Sequence, residues 1–246
     1  NKIIYNHVLK SSDPPRLRCD VFMDTVRHIV PISGKDSLTT ALWVKERYPD
    51  RDFEYFFSDV GQELPETYEW LDQVEEKQDI TIHRIGKDLE QRIRHHDILP
   101  SLNARFCTRE TKIEPMEDYQ GEDPAVLYYG LRADEQQRAG YNGNKENIEV
   151  KLPLQEGGIG IKGVWTILEN QDLLPPSFFY PRLYNTIVDI LGPEEEWQTR
   201  WGIPPLKGWE RHSLFAGRSR SNCHFCFYQR QYEWMWLHDE HPDLWD

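Results

Sequence analysis

A short apolar run, a small polar turn and then a helix-like pattern restrict this chain more than any other feature. Ile29, Val30 and Ile32 are typical of a buried strand, and apolar residues recur at helical spacing from Ser37 to Val44. A glycine-containing turn that opens a helix presents backbone N–H groups and the positive end of the helix dipole to an anion. The turn between the two segments therefore predicts a phosphate site, formed by Ser33, Gly34, Lys35, Asp36 and Ser37.

Strand-like and helix-like segments alternate after this turn. Phe53–Ser58 and Ile80–Ile85 have strand patterns, and Pro65 between them occupies the favoured first turn of an amphipathic helix. Further apolar runs lie at Val126–Gly130 and Ile148–Leu154. This order predicts an α/β fold with a Rossmann-like parallel sheet of about five strands, helices on both faces, and a smaller, mostly helical C-terminal lobe.

Changes in composition predict three parts of the chain. Residues 1–27 show no clear period, residues 28–156 hold the strand–helix alternation, and residues 157–246 are rich in aromatic residues and Pro. We expect an N-terminal segment, a nucleotide-binding domain and a helical lobe that carries a pair of Cys residues. Trp165 and Trp201 are expected in the core, because large aromatic side chains usually fill interiors.

The charge of the chain limits its direct partners. With 246 residues and a net charge of −13, its surface as a whole repels a phosphate backbone, so we expect nucleic acid to be reached only through partners. No stretch approaches the ~20 apolar residues that span a bilayer, and the first residues lack a signal-peptide pattern. A cytoplasmic protein with no membrane partner is expected.

Ligands of open parallel sheets bind at the carboxyl ends of the strands. The turn Ser33–Ser37 and the segment Asp59–Glu63 each follow a predicted strand, and Gly130 and Arg132 follow another. We therefore expect these residues to face one crevice. An ordinary strand–turn–helix corner with a capping Ser or Asp remains the alternative for the first turn.

The four Cys residues are too few for a disulfide scaffold. Cys223 and Cys226 form a C-x-x-C pair, which is typical of metal or redox chemistry. Cys107 stands in a basic stretch, where neighbouring cations lower the pKa of a thiol and attract anions. The predicted metal ligands are Cys107, Cys223 and Cys226, with Cys19 as a further candidate.

The Cys spacing alone leaves the metal open. An iron–sulfur cluster, a zinc site with His224, His212 or Cys19 as fourth ligand, and a reduced pair without metal all fit it.

Several separated segments together resemble the phosphoadenylylsulfate reductase-like branch of the PP-loop ATP pyrophosphatase superfamily. The first turn is similar to the signature Ser-Gly-Gly-x-Asp-Ser, with Ile32 and Ser33 at the positions of Ser and Gly. Asp59–Tyr68 resembles Asp-Thr-Gly-x-x-x-Pro-Glu-Thr-Tyr, with Val60 in place of Thr. The other matching segments are Arg105–Lys112 (Arg-Trp-Cys-Thr-x-x-x-Lys), Gly130–Glu135 (Gly-Ile-Arg-x-x-Glu-Ser) and Gly217–Cys226 (the late Cys pair).

The resemblance implies an adenine nucleotide alpha hydrolase-like fold that binds ATP and Mg²⁺ and splits ATP between its α and β phosphates. The adenylated substrate oxygen is then replaced by sulfur. The implied catalytic residues are Lys35, Asp36, Asp59 and Arg132, and the implied nucleotide-binding residues are Ser33, Gly34, Lys35, Asp36, Ser37, Asp59, Gly61, Gly130 and Arg132.

General chemistry supports these implied roles for Asp36, Asp59 and Arg132, and it also offers a simpler role for Asp36 and Arg132. Asp36 or Asp59 could reach Mg²⁺, which prefers one or two carboxylates together with phosphate oxygens. Arg132 would stabilise charge developing on the α-phosphate. Without a nucleotide, Asp36 would be a partner of the helix dipole and Arg132 a surface ion pair.

Reductases of this branch use a nucleophilic Cys near the C-terminus, and no Cys follows Cys226 in this sequence. This departure favours the sulfur-transferring relatives. The closest in pattern is the ATP pyrophosphatase and iron–sulfur subunit of bacterial DNA phosphorothioation systems of the Dnd or Ssp type, which serve antiphage defence. That likeness implies a [4Fe–4S] cluster, a cysteine desulfurase or other sulfur donor, and other subunits of a modification complex.

Three alternatives stay open. They are a phosphoadenylylsulfate or adenylylsulfate reductase, a tRNA thiolation enzyme, and a non-catalytic nucleotide-sensing subunit with a structural zinc.

Overall fold

The computed structural model describes residues 26–135, 137, 145–219 and 223–245. Five strands form one sheet: β1 (Arg27–Pro31), β2 (Glu54–Ser58), β3 (Ile82–Ile85), β4 (Ala125–Tyr128) and β5 (Ile148–Lys151). The first helices are α1 (Lys35–Arg47), α2 (Pro65–Gln78), α3 (Leu89–His96), α4 (Phe106–Thr108) and α5 (Glu114–Gln120), with a π-helical turn (Arg109–Ile113) between the last two. The later helices are α6 (Pro153–Glu156), α7 (Ile161–Asn170), α8 (Pro181–Leu191), α9 (Trp197–Trp201), α10 (Gly208–Leu214), α11 (Gln231–Glu240) and α12 (Pro242–Trp245).

All strand pairs are parallel, and the strand order is β3-β2-β1-β4-β5. The central strand β1 contributes Ile29 and Val30, which are fully buried on opposite faces of the sheet. A crossover between parallel strands needs a covering element, and helices supply it here. The predicted five-stranded parallel sheet is thereby confirmed.

The helices cover both faces of the sheet. On one face, Val30 packs with Leu38 of α1, Leu71 of α2 and Leu168 of α7. On the other face, Ile29 packs with Met116 of α5. Residues that alternate along a strand point to opposite faces, so neighbouring residues of β1 enter two different cores.

The segment after β4 differs from the predicted pattern. A strand was expected over Ile148–Leu154, but β5 ends at Lys151 and α6 begins at Pro153. Proline has no N–H to donate to a strand ladder, and its fixed φ suits the first turn of a helix. The proline therefore ends the strand.

The C-terminal lobe packs against the start of α2 through a third apolar cluster, in which Leu64 contacts Phe178 and Trp236. His241 also pairs with Glu66, with 3.0 Å between Nε2 and Oε1. A Cβ on Gly217 would lie 1.9 Å from the Trp236 ring, so the segment before the Cys pair runs directly over this ring. These contacts fix the helical lobe at the carboxyl edge of the sheet.

The two tryptophans expected in the core behave differently. Trp165 is 6% exposed, as predicted. Trp201 is 53% exposed, and its indole N–H donates to the Leu191 carbonyl at the end of α8, at 2.8 Å. The prediction for Trp201 was wrong because the indole N–H can donate to a carbonyl at the end of a helix while the ring stays at the surface.

Among the described residues, no helix is both long and apolar enough to cross a bilayer. The division into three parts stays a prediction, and residues 1–25 lie outside the described residues.

Replacing Leu71 with Ala should lower the free energy of unfolding by about 2–5 kcal/mol, because Leu71 is fully buried between the sheet and α2 and its truncation leaves a cavity. Urea unfolding followed by circular dichroism measures this change. Leu99→Ala is the matched control: its side chain is 72% exposed, and we expect a change within about 0.5 kcal/mol. Equal losses in both variants would contradict the assigned core.

Candidate functional site

The turn between β1 and α1 brings two backbone amides together. The N–H groups of Ser33 and Gly34 both donate to the Ser37 hydroxyl oxygen, at 2.8 and 3.1 Å, and that hydroxyl donates to the Gly34 carbonyl at 3.0 Å. The Ser37 oxygen thus stands where an oxygen of a bound anion would accept the same two bonds. Because α1 begins at Lys35, its positive dipole end faces the same point.

Arg132, just beyond β4, reaches back to the first turn of α1. Its Nη1 donates to Asp36 Oδ2 at 2.9 Å, and Lys35 Nζ lies 3.2 Å from the same oxygen. Burial alone would lower the pKa of Arg132, but the carboxylate of Asp36 helps to raise it, so the guanidinium stays charged. Asp36 Oδ1 is buried and accepts no hydrogen bond within the described part of the chain.

Gly130 allows this approach. A Cβ at this position would lie 2.8 Å from the Asp36 carbonyl carbon and from the Ser37 backbone nitrogen. Atoms this close would have to move, and here they belong to the backbone of the turn. The absence of a side chain therefore lets the end of β4 pack directly on the turn between β1 and α1.

These residues line a crevice of about 700 Å³ between the sheet and the C-terminal lobe. The sheet side contributes seven predicted site residues: Ser33, Gly34, Lys35, Asp36, Ser37, Gly130 and Arg132. The lobe contributes a wall that the sequence analysis did not assign to the site, formed by Trp165, Pro175, Pro176, Ser177, Phe178, His212, Ser213, Ala216, Arg218 and Ser219. Two wall residues lay in segments that the sequence had pointed to for other reasons: Arg218 is part of the Gly217–Cys226 motif, and His212 was a candidate zinc ligand.

Asp59 and Gly61 lie away from this crevice. The Asp59 carboxylate accepts hydrogen bonds from Gly61 N–H and from the Tyr68 hydroxyl, both at 2.8 Å. Gly61 has a φ of +72°, which the tight turn after β2 requires. The carboxylate thus holds its own turn together, and its predicted contact with Mg²⁺ stays a prediction.

A second pocket, of about 360 Å³, continues from the crevice along β1 and β2 and shares Ser33 and Tyr129 with it. Glu63 and Lys112 line this pocket, with 3.4 Å between Lys112 Nζ and Glu63 Oε1. Burial raises the pKa of Glu63, and the ammonium of Lys112 opposes that shift. The Asp59–Glu63 segment therefore reaches the site through its last residue.

Two histidines named as zinc candidates donate to backbone carbonyls. His212 Nε2 lies 2.7 Å from the Pro175 oxygen and His224 Nδ1 lies 3.1 Å from the Gln62 oxygen, so each of these nitrogens must carry the proton. Burial lowers the pKa of both imidazoles. His212 belongs to the crevice wall, next to the Trp165 ring.

The loop with Cys223 and Cys226 packs against the turn after β2. The backbone N–H of His224 donates to the Gln62 carbonyl at 2.8 Å, and Arg218 Nη2 donates to the Cys223 carbonyl at 3.2 Å. Burial raises the pKa of the Cys223 thiol to about 12, although the nearby Lys112 ammonium acts in the opposite direction. Arg218 therefore connects the Cys loop with the nucleotide-sized crevice.

The segment with Cys107 reaches the same loop. The Arg105 guanidinium lies 5.0 Å from the centre of the Tyr228 ring, and the charge of Lys112 interacts with Cys223 and Cys226. Nevertheless, no three His, Cys, Asp or Glu residues in the described ranges are arranged as a metal site, and Cys19 lies outside those ranges. The three thiols as placed do not form a ligand set, so the cluster and the zinc alternative both stay predictions.

If ATP binds at this turn as predicted, Gly130→Ala should weaken that binding by about tenfold or more, because the added Cβ displaces the backbone of Asp36 and Ser37 at the start of α1. Isothermal titration calorimetry measures the change. Gly160→Ala is the control: its Cβ would meet the Asp134 carboxyl carbon at 3.7 Å, an ordinary contact, so binding should be unchanged. If folded Gly130→Ala bound ATP as tightly as the wild-type protein, the close contact between the end of β4 and the turn would not be needed for binding.

If the predicted iron–sulfur cluster is present, anaerobically purified protein should contain iron and acid-labile sulfide in equal amounts, and Cys226→Ser should lose both. Elemental analysis with a sulfide assay checks this. Cys19→Ala tests the fourth ligand, because loss of iron there would make Cys19 a ligand. Zinc without sulfide in the wild-type protein would replace the cluster with the zinc alternative.

Comparison with known proteins places this site in a family. The sequence model of the phosphoadenosine phosphosulfate reductase domain matches residues 27–152, slightly more than half of the chain. No curated protein matches the chain. Among solved structures, the chain is similar to the crystal structure of phosphoadenylyl-sulfate (PAPS) reductase from Candida auris in its phosphate complex, with a TM-score of 0.47 and 16% identity over 67% of this chain and 80% of that chain. The family match begins at β1 and ends just after β5, so the chain belongs to the phosphoadenosine phosphosulfate reductase domain family.

Proposed function

We propose that this chain is an AMP-forming ATP pyrophosphatase of the sulfurtransferase type, which activates a substrate oxygen by adenylation. The contact between Arg132 and Asp36 carries this proposal, because it places a charged guanidinium next to an anion-binding turn in one crevice. Two converging amides, a helix N-terminus and two cations favour a polyphosphate over a neutral ligand. The crevice volume of about 700 Å³ lies in the usual range for such ligands.

Different residues of the crevice would act on different groups of ATP during adenylation. The amides of Ser33 and Gly34, which donate to the Ser37 hydroxyl in this structure, would exchange that acceptor for phosphate oxygens, and Arg132 would offset the charge that develops on the α-phosphate. The substrate oxygen forms a bond to the α-phosphorus as the bond from that phosphorus to the bridging oxygen of the β-phosphate breaks. Pyrophosphate leaves, and AMP remains on the substrate oxygen.

Asp36 suits a magnesium ion. Its Oδ1 is buried without a hydrogen bond in the described residues, and the residue lines the same crevice as Ser33 and Gly34. Mg²⁺ prefers one or two carboxylates plus phosphate oxygens. A bound ion would neutralise phosphate charge there, while Lys35 and Arg132 hold the carboxylate in place.

The position of the Cys loop supports sulfur transfer as the second step. Arg218 joins the crevice wall to the Cys223 carbonyl, and Lys112 lies between the second pocket and both thiols of the pair. In this step the terminal sulfur of a persulfide from a cysteine desulfurase bonds to the activated atom as AMP leaves with its oxygen. An external thiol then cleaves the remaining S–S bond and is itself oxidised to a disulfide. As acceptor we propose a DNA phosphodiester oxygen, brought by partner subunits because the net charge of −13 opposes direct binding.

Sulfonucleotide reduction is the second candidate, and the family match favours it. The matched domain is described as a phosphoadenosine phosphosulfate reductase domain, and the same crevice could hold a sulfonucleotide instead of ATP. In that reaction a thiol would attack the sulfur, and sulfite would be released after reduction. The two candidates use different nucleotides and release different products.

Arg132→Lys should lower pyrophosphate release from ATP by roughly 10²-fold with little effect on ATP affinity, because Lys keeps the charge but loses the planar fork. A coupled pyrophosphate assay with cognate DNA and partner subunits measures the rate. Arg200→Lys serves as control, since Arg200 is 52% exposed and pairs with Glu196 on the surface.

The wild-type protein with its partner subunits also distinguishes the two proposed functions, ATP pyrophosphatase and sulfonucleotide reductase. Incubation with phosphoadenylylsulfate and a thioredoxin-type reductant should give no sulfite if the chain is an ATP pyrophosphatase. Sulfite release, together with absence of pyrophosphate from ATP, would replace the first candidate with the second.

A further inference from the structure

The second pocket contains a buried acceptor that has no partner. The Glu63 side chain is 3% exposed, and its Oε1 faces Lys112 Nζ at 3.4 Å. Its Oε2 is also buried, yet no described residue donates a hydrogen bond to it. A buried polar atom without a partner is costly, so this oxygen marks a place where a ligand that donates a hydrogen bond is favoured.

The walls of the pocket suit a flat, largely apolar ring. Phe56, Phe57 and Met116 line it together with Ile32 and Ile113, and its volume is about 360 Å³. This volume is at the lower end for small-molecule sites and leaves room for one heterocycle rather than a complete nucleotide. The carboxyl group of Glu63 lies within this apolar lining.

The pocket is continuous with the phosphate-binding turn. Ser33 lines both the pocket and the crevice, and its backbone N–H is one of the two converging amides. A nucleotide with its phosphates at this turn can therefore extend its base along the carboxyl ends of β1 and β2. Pro31 and Ser58, the last residues of those strands, form that side of the pocket.

We propose that Glu63 determines base specificity: its Oε2 accepts a hydrogen bond from the exocyclic amino group of a purine held between the apolar walls of the second pocket. This inference rests on the proposed nucleotide site and adds the group that distinguishes an amino-bearing base from an oxo-bearing one. Lys112 fixes the other carboxyl oxygen, so Oε2 is left for the ligand. Oε2 accepts this bond when Glu63 is ionised, the form that the ammonium of Lys112 favours.

The test compares three probes by calorimetry: ATP, the analogue with hydrogen in place of the 6-amino group (purine riboside triphosphate), and inorganic triphosphate. The wild-type protein should bind ATP about tenfold or more tightly than the analogue, because the analogue leaves Oε2 unpartnered. Inorganic triphosphate has no base, so it tests binding at the turn alone, and its affinity should not depend on residue 63.

The variant Glu63→Gln tests the same contact by replacing the accepting oxygen with a donating amide. Lys112 can only donate, so the amide oxygen of the glutamine should face it and the amide NH₂ should face the base. The variant should lose the preference for ATP over the analogue and gain relative affinity for inosine triphosphate, whose 6-oxo group accepts. Glu76→Leu, on the exposed face of α2, is the control and should leave all ratios unchanged.

The outcomes separate this inference from the proposed function. Equal binding of ATP and the analogue by the wild-type protein would overturn the role of Glu63 and leave the nucleotide site intact. An unchanged preference in folded Glu63→Gln would do the same. Absence of binding for both ATP and inorganic triphosphate would overturn the nucleotide site and this inference together.

Discussion

The approach of the end of β4 to the first turn of α1 is the constraint on which the site depends. Parallel pairing of β1 with β4 brings the two strand ends side by side, and Gly130 lets the backbones meet without an intervening side chain. Arg132, two residues further on, then reaches Asp36. Had β4 ended in a residue with a Cβ, the turn and the arginine would be held further apart, and no single crevice would contain both.

The C-terminal lobe turns this edge of the sheet into an enclosed site. Its attachment depends on contacts far from the anion-binding turn: Trp236 packs on Phe178 and over Gly217, and Glu233 accepts hydrogen bonds from the Ser219 N–H and hydroxyl groups. Because Arg218 lies between Gly217 and Ser219, these contacts also fix its buried guanidinium in the crevice wall. Packing of the lobe thus positions a charge at the site.

The sequence allowed the sheet and the strand–turn–helix segment around Ser33–Ser37 to be predicted, since both arise from local patterns: apolar runs for the strands and a polar, glycine-containing turn before a helix. The lobe wall could not be predicted in the same way. Trp165, His212 and Arg218 are far apart in sequence and meet only through tertiary packing. Trp201 shows the limit of composition arguments, because its indole binds a helix end while the ring stays at the surface.

The junction between the crevice and the Cys loop holds four charged side chains from separate parts of the chain. Lys112 and Arg218 are two cations near Cys223, with Glu63 and Glu233 as the nearby carboxylates. The Glu233 carboxylate accepts the Ser219 and Arg230 backbone N–H bonds, and burial raises the pKa of Glu63 while the Lys112 ammonium opposes that shift. Charges interact more strongly where burial excludes water. Lys112 and Arg218 each interact with Cys223 as well as with Glu63, so these two cations couple the crevice wall to the Cys loop electrostatically.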